Sequence, residues 1–111
     1  MTTVTIRIEG GKIVGFSAKG HTGYAEEGED IVCAAVSAIT QTAMMGLKRF
    51  APDTRARWRE GDAPLLEVEV PHPTRETEVI LTTMVIGLED ILSGVPQYVR
   101  ILHTGSEVES K

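Results

Sequence analysis

Cysteine is almost missing from this chain: Cys33 is the only one in 111 residues. That excludes an internal disulfide, and it speaks against a structural zinc site, which needs four protein ligands. No metal and no other cofactor is expected. Basic charge is short as well, with 11 Lys and Arg against 16 Asp and Glu and a net charge of -5. Direct nucleic-acid binding needs a basic footprint and is not expected; a basic partner suits the charge. No apolar run reaches the length of a membrane span, and Met1-Thr2-Thr3-Val4 lacks the basic and apolar regions of a signal peptide. The expectation is a cytoplasmic protein without membrane contact, its thiol kept reduced. Long repeats and low-complexity segments are missing too.

What is present suits one small domain. An apolar fraction of 41% in a chain of this length supplies one core without staples. Val4, Ile6 and Ile8 alternate with polar residues, predicting a strand over residues 3–9. Gly10-Gly11 turns the chain into a second strand over 12–19. An apolar helical period, Val32, Val36, Ile39, Ala43, Leu47, Phe50, predicts a helix over 31–50 with Asp30 as its cap. Ala34, Ala35, Ser37 and Ala38 are small, so this half of the helix can approach another backbone closely. Arg55, Arg57 and Arg59 give a strand over 54–60 with a basic face. Leu66, Val68 and Val70 alternate with Glu67 and Glu69 in a fourth strand, and those glutamates can pair across the hairpin with the arginines. A second helix over about 74–93 has Thr74 as its cap and Ile80, Met84, Gly87, Leu88 and Ile91 on its inner face. A last strand spans 98–102. The fold class expected is α+β: a single domain over 1–103 in the order ββαββαβ, a mixed or antiparallel sheet with two helices, then a flexible polar tail over 104–111.

The chemistry concentrates between Gly20 and Ser37. Cys33 falls at the third position of the predicted helix, where unpaired amides and the dipole favour a thiolate and can hold an oxyanion. A nucleophilic thiol needs a base, and His21 is the nearest in sequence. The competing reading is an inert buried thiol, since cysteine is among the most buried residues. His21 is equally able to bond a carbonyl at a strand end. Asp30 shares a helix face with Cys33 and either orients His21 or only caps the helix. Ser37, one turn after Cys33, serves close packing or a polar contact. The loop 20–29 carries Gly20, Gly23 and Gly28, but Glu26, Glu27, Glu29 and Asp30 would repel phosphate and attract a basic peptide. His72 and His103 are given no role.

At these residues the chain resembles the ribosomal-processing cysteine protease family, Prp. The matching elements are Gly20-His21, Tyr24, Gly28, and Asp30-Ile31-Val32-Cys33-Ala34 followed by Val36-Ser37. The apolar second helix around Val79–Leu88 and Pro96-Gln97-Tyr98-Val99 add a weaker likeness over the rest of the chain. The resemblance implies a small α+β homodimer acting as a cysteine endopeptidase. Its substrate would be the short N-terminal extension of the twenty-seventh protein of the large ribosomal subunit, cut after an aromatic residue. It implies Cys33 as nucleophile and His21 as general base, with Asp30 and Ser37 supporting. Gly20, Gly23, Tyr24 and Gly28 would belong to a substrate loop. Two other readings stand beside it: a non-catalytic ribosome-assembly or peptide-binding module with Cys33 as packing, and a redox-sensing thiol.

Overall fold

The structure is a computed structural model that describes residues 1–20, 29–59 and 65–105. Strands β1 (Thr2–Glu9), β2 (Lys12–Lys19), β3 (Arg55–Arg59), β4 (Leu65–Glu69) and β5 (Val99–Gly105) and helices α1 (Glu29–Phe50) and α2 (Arg75–Gly94) follow in the expected order ββαββαβ. They build one five-stranded sheet, β3-β4-β2-β1-β5. It is mixed: β1 and β5 are parallel, and the other neighbours are antiparallel.

The first hairpin closes on Glu9 opposite Lys12. Both turn residues take positive φ, 59° at Gly10 and 78° at Gly11, which only glycine adopts readily and which matches the twist of the flanking strands. A bulge follows: Arg7 faces Gly15 while Ile8 faces Ile13, so Val14 is the extra residue. Gly15 is required for a second reason. A Cβ there would lie 2.5 Å from the carbonyl oxygen of Val68 on β4. Gly15→Ala should therefore push β2 away from β4 and lower stability by about 1–3 kcal/mol. Thermal unfolding checks this; a melting temperature equal to wild type would refute it.

Alternation sends one side chain set inward. Val4, Ile6, Phe16, Leu66, Val68 and Val99 form a single buried cluster with both helices. α1 contributes Val32, Val36, Ala43 and Leu47, and α2 contributes Leu81, Met84 and Leu88. Thr40 is buried in the α1 stripe because its hydroxyl is satisfied, donating to Val36 O at 2.9 Å. The opposite sheet face is polar. There Arg57 pairs with Glu67 and Arg55 with Glu69, as the alternating charges predict. The Arg57 guanidinium holds the Glu67 carboxyl below the usual carboxylate range. An unforeseen pair, His72 Nδ1 and Asp53 Oδ2 at 2.6 Å, lowers the Asp53 carboxyl through its hydrogen bond.

Several expectations need correction. α1 starts at Glu29, so Asp30 is its second residue rather than the cap before it. On α2 the predicted Met84 and Leu88 are buried and Ile80 and Ile91 pack partly buried against the core, but the fully buried stripe also includes Thr77 and Leu81, which were not expected. Thr74 does cap α2: it accepts from Thr77 N, and Thr77 Oγ1 accepts from Thr74 N. β5 continues to Gly105, past the predicted Leu102. Within residues 31–50 an 18-residue window has a mean hydropathy of 1.4, which by length and composition is enough to cross a membrane. The expectation that no run of that length exists was thus incorrect. Here the segment is the central helix, its Val32–Leu47 stripe laid on the sheet.

The helices run antiparallel, with Gly46 beside Ile80 and Gly87 against Ile39. Gly46 and Gly87 are thus points of close approach between the helices. Their outer side forms an apolar groove of about 620 Å³ whose lining includes Ala38, Thr42, Gly46, Phe50, Val79 and Thr83.

Candidate active site

The site is assembled where β1 begins, β2 ends and α1 starts. Thr2 lies on the helix-covered side of β1, in phase with Val4 and Ile6, and is 4% exposed. Its backbone N–H donates to Tyr98 O at 2.9 Å, and it faces Val99 in the parallel register. The strand end is thereby pinned from one side by β5. From the other side comes β2. Thr3 pairs with Lys19, so Gly20 leaves the sheet beside Thr2. The next residue in the chain is His21.

From above comes α1. Val32 and Val36 are buried against the sheet and fix the helix's rotation. Cys33 follows Val32 by one residue, about 100° round the helix, and is half-buried. Its Sγ lies 2.9 Å from Thr2 Oγ1. With α1 starting at Glu29, Cys33 is the fifth helical residue rather than the third. The amides without an intrahelical partner are then those of the turn ahead of it, at the helix start. Ser37 is exposed, so it does not serve close packing; it stands one turn beyond Cys33 on the same face. His21, Gly23, Tyr24 and Gly28 lie outside the described residues, as does the Asp30 side chain. Among the described residues no three His, Cys, Asp or Glu side chains converge as a metal-binding group. Sequence reasoning missed Thr2. The one signal available was a hydroxyl at an inward position of an otherwise apolar strand.

The family description "Cysteine protease Prp" matches residues 1–100. The chain belongs to the Prp family of cysteine proteases. The ribosomal processing cysteine protease Prp of Staphylococcus aureus is 30% identical over 105 residues, covering 91% of this chain and 97% of that one. The Mycoplasma pneumoniae Prp is 32% identical over 83 residues, 75% of this chain and 80% of that one. Among solved structures, a protein from Streptococcus mutans superposes with a TM-score of 0.82 at 22% identity, covering 96% of both chains, and shares the fold. The S. aureus Prp in complex with a substrate peptide superposes with a TM-score of 0.76 at 25% identity, covering 94% of this chain and all of that one.

Proposed function

We propose that this Prp family member is a cytoplasmic endopeptidase acting through Cys33 and His21. Its substrate is the short N-terminal extension of the twenty-seventh protein of the large ribosomal subunit, cut after an aromatic residue for ribosome assembly. The observation that carries the dyad is local geometry. Gly20, the residue before His21, leaves the sheet beside the same Thr2 whose hydroxyl touches Cys33 Sγ. His21 follows Gly20 directly in the chain, which supports reading it as the base for Cys33. Cysteine-protease chemistry needs a thiol, and the chain has one.

In the reaction, His21 takes the thiol proton and Cys33 Sγ attacks the scissile carbonyl carbon. The carbonyl oxygen becomes an oxyanion, held by amides at the start of α1. His21 then protonates the departing amine as the C–N bond breaks, leaving a thioester. Water activated by the same imidazole hydrolyses the thioester and frees the thiol. Asp30 orients His21 and Ser37 lines the approach. The loop with Gly20, Gly23, Tyr24 and Gly28 receives the peptide, and Glu26 and Glu27 meet its basic charge. No cofactor, membrane or direct nucleic-acid contact enters this scheme. Incubating the protein with the extended ribosomal protein and weighing the product by mass spectrometry tests it. An extension left intact would refute the substrate.

The active form is a homodimer joined through the outer face of the helix pair. Residues 31–47 and 79–88 carry no charge, yet Met45, Phe50, Val79 and Ile86 are each more than half exposed there. Exposed Lys48, Arg49 and Arg75, with Glu76 among them, give one end of the pair a net basic charge, and exposed Glu89 and Asp90 lie at the other. A two-fold axis across the groove brings the basic end of each copy to the acidic end of its partner, which favours a second copy as occupant. Ile86→Glu should give a monomer in light scattering. A variant that keeps the wild-type mass, whether dimer or monomer, would rule out this interface.

A further inference from the structure

We infer that Thr2 is a positioning residue for the nucleophile, an inference that rests on the reading of Cys33 given above. Its hydroxyl, 2.9 Å from Sγ, donates a hydrogen bond to the sulfur once the thiolate forms and holds it in one rotamer. A thiol and a hydroxyl can share a proton in either direction. A thiolate has no proton, so ionisation leaves the hydroxyl a single role, that of donor. The bond then becomes charge-assisted and stronger. Thr2 keeps its own proton throughout; the thiol proton leaves to the base.

Three observations make Thr2 suited to this role. It is buried, 4% exposed, so water competes little for its hydroxyl. It is rigid: it is β-branched and hence stiff at χ1, and its backbone is tied to Tyr98 O on one side and paired within the sheet. It also breaks the pattern of its strand. The inward positions of β1 are Thr2, Val4 and Ile6, and valine would fill the first as well as threonine does. The hydroxyl adds nothing to packing, and its contact is the sulfur. Because Thr2 lies beneath α1, it grips the sulfur from the sheet side and leaves the solvent side, where Cys33 is half-open, for the incoming carbonyl. A rotamer selected in advance is one of the conditions for a reactive site held to within half an ångström.

The test uses the full chain as wild type, Thr2→Val and Thr2→Ser. Three readouts are taken at neutral pH: iodoacetamide alkylation rate, thiolate ultraviolet absorbance, and kcat and KM on a peptide spanning the ribosomal-protein extension. Thr2→Val should lower alkylation rate and kcat about tenfold, the usual scale for losing one hydrogen bond to a charged group. KM and the melting temperature should stay near wild type, and thiolate absorbance should fall. Thr2→Ser should restore all three readouts to within about threefold, which a purely structural role would not produce. If Thr2→Val does not fold, Thr2→Ala adds no bulk and carries the same expectation. Alkylation and absorbance unchanged in a folded hydroxyl-free variant would overturn the role of Thr2. A wild type that alkylates readily but never cleaves the peptide would overturn the protease reading instead, since the first two readouts need no substrate.

Discussion

Cys33→Ala should abolish peptide cleavage, by about 10⁴-fold or more, since loss of a covalent nucleophile leaves only binding and oxyanion stabilisation. The alanine variant has a second effect that complicates its use. It strips the buried Thr2 hydroxyl of the sulfur 2.9 Å away, and an unsatisfied buried hydroxyl costs about 1–3 kcal/mol. Cys33→Ser separates the two effects. A serine hydroxyl can still bond Thr2, so the melting temperature should stay close to wild type. The activity should be lost all the same, because an alcohol is scarcely ionised at neutral pH and its attack then rests wholly on a base tuned for a thiol. Both variants inactive, with serine the more stable, is the expected pattern in a cleavage assay run beside thermal unfolding. Cleavage retained by either one would remove Cys33 from the mechanism.

The parts of this molecule that were legible in its sequence are those decided within a few residues. The Gly10-Gly11 turn, the Thr74 cap and the pairing of Arg57 with Glu67 each follow from local geometry or from a hairpin register, and the structure has all three. The start of α1 was less legible. Glu29 and Asp30 are both acidic and both suit the positive end of a helix, so composition alone does not decide which residue begins it. In α2 Met84 and Leu88 were legible as buried, but Leu81 was passed over for its apolar neighbour Ile80, which is only partly buried. What the sequence did not disclose at all is non-local. Thr2 and Cys33 are 31 residues apart, and Asp53 and His72 are 19 apart. Thr2 meets Cys33 only because the sheet and the helix laid on it bring the start of β1 under α1; Asp53 and His72 meet because each lies just beyond the paired ends of β3 and β4. The motif of histidine and cysteine was visible as spacing, but the hydroxyl against the sulfur was not.

Phe16→Ala should be the most damaging single change to stability, about 3–5 kcal/mol. Phe16 is 1% exposed and sits mid-sheet, facing Ile6 on β1 and Val68 on β4 in the registers of the two pairings. Truncating it opens a cavity between two strands whose positions are set by backbone hydrogen bonds, so the walls cannot close fully around the gap. A domain of this size has a total stability of about 5–15 kcal/mol, and the loss is therefore about a fifth of it or more. Phe16→Leu keeps most of the volume and should cost about half as much or less. Urea unfolding reads both, with the slope unchanged if the loss is confined to the native core. The effect should also reach the sulfur. β1 carries both Ile6 and Thr2, and β2 carries both Phe16 and the exit toward His21. Loosening their contact in Phe16→Ala should slow peptide cleavage at a temperature where the variant is still folded, while Phe16→Leu stays near wild type. A loss below about 1 kcal/mol in Phe16→Ala would show that the sheet relaxes around the gap, and the link drawn here between the packed strands and the placement of Cys33 would fail with it.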